Sequence, residues 1–301
     1  MPEASYLSLF RSGELKRRAE AARTHEAACD LCARSCGINR AERTGACHTG
    51  LRARVASYGP HHGEEDPLRG WNGSGTIFFS WCNLRCVYCQ NHDISQAPAG
   101  HEMTSAELAA IMIELQARGC HNINLVSPSH VVAEILEALV LAVKAGLTLP
   151  LVYNTGGYDS LAALELLDGV IDLYMPDMKY SQASVARGYS KIKDYPRINQ
   201  EAVREMHRQV GDLQLDPDGI AIRGLLVRHL VLPARLAGTR QIMRFLAAEI
   251  STDTYVNIMQ QYRPAFQAGA HPLLNRCPTQ QEFDEAYRWA RQAGLHRFDR
   301  S

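Results

Sequence analysis

The stretch that most constrains this chain is residues 80–91, SWCNLRCVYCQN, where Cys82, Cys86 and Cys89 follow the apolar run Thr76-Ile77-Phe78-Phe79 at C-x3-C-x2-C spacing. Such a run reads as a buried strand, so three soft sulfur ligands are held in one short loop at a strand end. A structural zinc takes four protein ligands, and no fourth cysteine follows within this loop. The simplest chemistry for three thiolates so spaced is a four-iron cluster with one iron left open to an exogenous ligand. A zinc knuckle, a redox pair, or cysteines packed as small apolar side chains are the competing readings of the spacing alone.

With Tyr88 just before its last cysteine, this loop resembles the signature of the radical S-adenosylmethionine (radical SAM) superfamily. The run GSGTIFFSWCNLRCVYCQN at 73–91, with VYNTGGY, LYMPDMKY, RHLVLP and MQQYRP downstream, is similar to the subfamily homologous to pyruvate formate-lyase activating enzymes, over nearly the whole chain. That resemblance implies a [4Fe-4S] cluster whose open iron chelates the amino and carboxylate groups of S-adenosylmethionine. It also implies a reducing electron donor such as flavodoxin or ferredoxin, and a 5′-deoxyadenosyl radical that abstracts hydrogen, in activating enzymes from a glycine of a partner protein.

At 301 residues and 46% apolar composition the chain is long enough for one large α/β domain with an accessory piece. Its 32 basic and 32 acidic residues cancel, so no overall pull toward nucleic acid or membrane is evident. The start, SYLSLFRSGELKRRAEAARTH, is charged and amphipathic without the apolar core of a secretory signal. The most apolar long segment, 131–153, is interrupted by Glu134, Glu137 and Lys144, which argues against a membrane span. The expected location is the cytoplasm, where nine cysteines are better explained by metal binding than by disulfides.

Four of those cysteines form a second set: Cys29, Cys32, Cys36 and Cys47, at C-x2-C-x3-C-x10-C, with His25 and His48 as further candidate ligands. Four soft donors suit zinc or a second iron-sulfur cluster equally, and a closed site of this kind is structural or electron-relaying. Between the two sets lies GPHHGEEDPLRGWNGSG, which its Gly and Pro content marks as a loop. His61, His62, Glu64, Glu65 and Asp66 crowd titratable groups there, either facing the site as proton relays or substrate contacts or forming a solvated acidic turn.

From residue 76 strands and helices alternate, predicting βα units and a parallel sheet. Strands are expected at 76–80, 122–126, 150–153, 170–175, 225–232 and 255–259, and helices at 105–118, 131–145, 161–167, 202–210 and 239–249. The resemblance implies that these six units close a partial (β/α)6 barrel. The ends of parallel strands share one face, so Cys82, Ser127, Asn154, Asp177, Arg228 and Tyr262 are expected to converge.

The resemblance gives these positions roles. Asn154 and Thr155 stand where activating enzymes have an aspartate-threonine pair near S-adenosylmethionine and a monovalent cation, and the neutral amide weakens the attraction for that cation. Met175, Asp177 and Lys179 match the motif of the fourth strand, Asp177 and Lys179 as catalytic candidates. Arg228 matches an arginine that approaches the S-adenosylmethionine carboxylate, a bidentate task suited to guanidinium. Ser127 lies where many relatives place a Gly-Gly-Glu loop. VSPSH lacks it, leaving the amino contact to Ser127, His130 or backbone carbonyls. Tyr262 and Arg263 are placed to close over the mouth, and His229 is expected as a core histidine facing away.

The expected organisation is an N-terminal helix and four-cysteine segment at 1–60, the barrel at 61–262, and a tail at 263–301 with a helix that begins at Thr279 and ends at Gly294. The reading from a different class is a non-catalytic iron-sulfur or zinc protein that relays electrons or scaffolds a partner. It predicts no binding of S-adenosylmethionine.

Overall fold

The computed structural model describes residues 3–299. Within them the strands are β1 Ala53–His61, β2 Ser74–Phe79, β3 His101–Met103, β4 Ile123–Val126, β5 Leu151–Thr155, β6 Leu173–Pro176, β7 Gln214–Leu215, β8 Ala221–Leu230, β9 Tyr255–Met259 and β10 Arg297–Phe298. They order as β10-β9-β8-β6-β5-β4-β2-β1-β3, with β7 pairing on β8. The parallel run from β2 through β9 holds the six expected units, and antiparallel β1 and β3 extend it at one edge. This is the α/β sheet of a partial barrel.

Local chemistry accounts for the best-anticipated elements. Thr104 and Thr279 each cap a helix with reciprocal bonds to Glu107 and Glu282, so Ser105–Ala117 and Gln280–Ala293 start one residue after their caps. β5 is buried along its whole length, and helix Val132–Lys144 is covered on its outer side by the N-terminal helix Glu14–Thr24 through Leu15, Ala19 and Ala22.

Two expectations are corrected, and one open reading is decided. Gly59 and Pro60 read as loop, yet β1 runs through them to His61, because an antiparallel strand with one free side tolerates a missing N–H. The helix expected at 202–210 begins at Tyr195, with Pro196 in its first turn, and an unanticipated helix Ala183–Ser190 precedes it. The connection 62–73, read either as facing the site or as a solvated turn, turns inward. Its short helix Asp66–Arg69 pushes Leu68 against Val152, Leu173, Met175 and Leu226 inside the barrel, so it plugs the lumen from below.

Candidate active site

Two residues along each strand from that plugged layer come the polar positions. Asn154, Asp177 and Arg228 lie beyond Val152, Met175 and Leu226 on the same inward face, as the period of two requires. They line a cavity of about 350 Å³ with Ser127, Thr155, Lys179 and the cysteine loop that follows β2. Cys82, Cys86 and Cys89 all border it, so the anticipated convergence holds for Cys82, Ser127, Asn154, Asp177 and Arg228.

It fails for Tyr262, and Met175, expected beside the cofactor, also lies outside the cavity. Tyr262 is buried behind the cysteine loop, its hydroxyl donating to the Leu274 carbonyl at 2.7 Å and its ring set edge-on to Tyr88 at 5.7 Å. The chain has turned away from the mouth by three residues past β9. Met175 faces inward as its strand dictates but lies one pleat too deep, packed with Leu68. His229 satisfies the core reading, with Nδ1 2.7 Å from the Met178 carbonyl and Nε2 2.9 Å from Thr239 Oγ1. His130 is also buried away from the cavity, its Nε2 2.9 Å from the Ser80 carbonyl.

The thiols are held by a second layer. Leu84 N–H points at Cys82 Sγ at 3.4 Å, Ser190 Oγ lies 2.9 Å from Cys86 Sγ, and Ser95 Oγ 3.1 Å from Cys89 Sγ. Burial pushes the Cys82 thiol up to about 11 and the Cys86 thiol up to about 12. A buried thiolate here needs a cation to hold it, which iron supplies. Among the described residues no three His, Cys, Asp or Glu side chains close on a single metal ion. The fit to an iron-sulfur cluster rests on the soft donor set bordering a polar cavity.

On the opposite chemistry, Lys179 Nζ pairs with Asp177 at 2.5 Å, and Arg228 Nε lies 3.5 Å from Asp177 Oδ1. Burial alone would raise the Asp177 carboxyl, but Lys179 and Arg228 outweigh it and hold it below the usual range. Asp177 Oδ1 and Arg228 Nε have no hydrogen-bond partner, the kind of pairing left for a ligand to complete. The loop after β5 is fixed from helix Tyr195–Val210: Asn199 Nδ2 donates to the carbonyls of Gly157 and Asp177 at 2.9 Å each. Gly157 has φ +73°, and a Cβ there would come within 2.2 Å of Asn199 Nδ2 and 2.3 Å of the Asp177 carbonyl. Only glycine fits. Thr155 borders the cavity, but its hydroxyl donates to buried Asp159 at 2.7 Å.

Residues 76–233 match the sequence profile described as the Radical SAM superfamily. The chain belongs to the radical SAM superfamily. Its similarity also extends to the uncharacterized protein MJ0674 of Methanocaldococcus jannaschii, 31% identical over 280 residues, which are 89% of this chain and 75% of the relative. Among solved structures, a radical SAM methyltransferase from Sphaerobacter thermophilus superposes with TM-score 0.50 at 15% identity, over 75% of this chain and 67% of that one, a likeness of fold. Streptococcus suis SuiB bound to precursor peptide SuiA gives 0.48 at 9% identity, over 72% of this chain and 46% of that one. The radical SAM family implies a [4Fe-4S] cluster and S-adenosylmethionine. No helix among the described residues is long and apolar enough to cross a membrane.

Asn124, Asn199 and Ser190 are site residues that the sequence does not single out. Asn199 and Ser190 carry no signal beyond a polar residue on an otherwise packed helix. Of the two readings of the acidic stretch, the one that faces the site holds for Glu64, with Glu65 buried beside it.

The four N-terminal cysteines dock beside the cluster loop. His48, next to Cys47, stacks on Trp81, next to Cys82, with ring centroids 4.5 Å apart, and Arg34 donates to the Asn83 carbonyl at 2.8 Å. Arg85 binds the Ala46 carbonyl. Trp81 thus packs between the two sets. Cys29, Cys32 and Cys47 are buried and Cys36 is exposed, and His25 pairs with Asp30 at 2.6 Å.

Proposed function

We propose that this radical SAM enzyme holds a [4Fe-4S] cluster through Cys82, Cys86 and Cys89 and S-adenosylmethionine between Ser127, Asn154 and Arg228, and abstracts hydrogen from a glycine of a partner protein. When bound, these cofactors supply a 5′-deoxyadenosyl radical. The chain's own residues bind and orient: Arg228 presents its unpartnered Nε toward a carboxylate, Asp177 is kept ionised by Lys179, and Leu84, Ser95 and Ser190 direct the thiols. The single observation that carries the reading is that the three cysteines and the strand-end polar residues border one cavity. A pure electron relay has no use for such a cavity.

The glycine substrate rests on the likeness of VYNTGGY, LYMPDMKY and RHLVLP to activating enzymes. A flavodoxin or ferredoxin is the proposed electron donor, and zinc or a second iron-sulfur cluster the proposed occupant of Cys29, Cys32, Cys36 and Cys47. The test is anaerobic reconstitution and reduction with S-adenosylmethionine, measuring 5′-deoxyadenosine, iron, sulfide and zinc. Product from wild type and none from a Cys82→Ala/Cys86→Ala/Cys89→Ala variant supports the reading. A reducible cluster that leaves S-adenosylmethionine unbound overturns it in favour of a relay.

A further inference from the structure

The plug that fills the barrel lumen carries two glutamates that the proposed chemistry does not use. Glu64 is 7% exposed and borders the cavity, and Glu65 is 3% exposed just behind it. Glu65 Oε1 accepts from Asn257 Nδ2 at 2.8 Å, tying the plug to β9 on the far side of the parallel run. Both carboxylates look to one guanidinium: Arg228 is 3.9 Å from Glu64 and 3.5 Å from Glu65, while it also stands 3.5 Å from Asp177. Asp177 has its own partner in Lys179. Three carboxylates therefore crowd Arg228, and none of its three contacts is at hydrogen-bonding distance.

Buried polar atoms are left over at the same place. Glu65 Oε2 has no hydrogen-bond partner, and fully buried Asn124 has only the Glu64 carboxyl beside it, at less than good hydrogen-bond geometry. Such groups are costly unless a ligand completes them. The imidazole of His61, 3.7 Å from Glu64, does not discharge the pair, because burial, His62 and Arg228 all hold its pKa down. An ammonium or guanidinium beside Glu64 supplies both a positive charge that favours the ionised carboxylate and the missing donors.

We propose that Glu64, backed by Glu65, is a specificity site that binds an ammonium or guanidinium group of the substrate. Its role in catalysis rests on the radical reading above, but its ligand preference is measured without turnover. The probes are n-butylammonium and n-butylguanidinium, with n-butanol as the neutral control, titrated by ligand-observed NMR into the reconstituted, oxidised holoenzyme with S-adenosylmethionine present.

Wild type is expected to bind the cations about tenfold or more tighter than butanol, as a charged hydrogen bond implies. Glu64→Gln removes that preference and Glu64→Asp keeps part of it. Equal binding of cations and butanol by wild type overturns the proposal, and needs no variant to fold. So does a Glu64→Gln enzyme that loses affinity for S-adenosylmethionine while still preferring butylammonium, since Glu64 would then serve the cofactor. Absence of 5′-deoxyadenosine would fail the radical reading and leave the cation preference measurable.

Discussion

The two cysteine sets are near mirror images in sequence, C-x2-C-x3-C at 29–36 and C-x3-C-x2-C at 82–89. Each also has an arginine with a buried glutamate beside it, the first arginine buried and the second partly exposed. At the first, Arg40 Nε donates to Cys29 Sγ at 3.1 Å and its Nη1 lies 3.6 Å from Glu134. At the second, Arg228 faces Glu64 and Glu65. The difference is position relative to the sheet. The second set follows a strand end and opens on a cavity, while the first is packed against the outside of the cluster loop through His48, Arg34 and Ala46. Spacing states that sulfur ligands are present, and only the surrounding fold states whether a reactant can reach them.

The sharpest way to break this contrast is to delete each set in turn. Removing Cys82, Cys86 and Cys89 is expected to take 5′-deoxyadenosine to background. Removing Cys29, Cys32, Cys36 and Cys47 is expected to lower the melting temperature and the bound metal while product stays detectable. If a stable, cluster-loaded variant of the second kind also falls to background, the first set lies on the electron path and the contrast fails.

The two arginines sharpen it next. Arg40→Ala strands Glu134 in the core and should cost about 3–5 kcal/mol in chemical denaturation. Arg228→Ala is expected to cost less stability, since its side chain is 23% exposed, but to abolish the binding of S-adenosylmethionine seen by calorimetry. Arg228→Lys should restore charge without bidentate reach and recover binding only in part. Comparable stability losses with binding intact in both alanine variants would separate Arg228 from the cofactor.

Much of this organisation was legible. The βα alternation was readable because apolar runs are punctuated by Gly and Pro, and β9 and helix Leu161–Leu167 match their expected bounds. Strand alternation correctly sent Arg228 inward and His229 outward. What sequence could not give was depth and direction after the strand ends. Met175 and Asp177 share a face, and Leu68 arriving from a distant loop decides which of them meets the cavity. Tyr262 depended on the turn after β9, and Glu64 on a loop folding into the lumen, neither of which leaves a periodic trace.

A smaller effect concerns that loop end at β5. Gly157→Ala adds a methyl where φ is +73° and Asn199 and the Asp177 carbonyl are already in place, so a cost of about 1–3 kcal/mol is expected. Because the displaced groups set Asp177, affinity for S-adenosylmethionine should fall in the same variant. Leaving that affinity unchanged would show that Asn199 supports the fold alone.

The smallest and most specific test compares the two buried glutamates by pH. Burial pushes both Glu64 and Glu134 up to about 7 from an ordinary 4.5, against the opposing pull of Arg228 and Arg40 respectively. A carboxyl whose folded pKa is raised binds its proton more tightly in the native state. It therefore contributes stability that is fully present below about 4.5 and is lost as pH rises through about 7. Glu64→Gln and Glu134→Gln keep the shape and remove the titration, so each should gain on wild type between pH 4.5 and 7.5, by at most about 3 kcal/mol. Denaturation midpoints across that range check the sign. A gain that is then cancelled by butylammonium for Glu64, through binding to wild type but not to the Gln variant, and not for Glu134, would place the ligand in the cavity and leave the N-terminal pair a matter of packing.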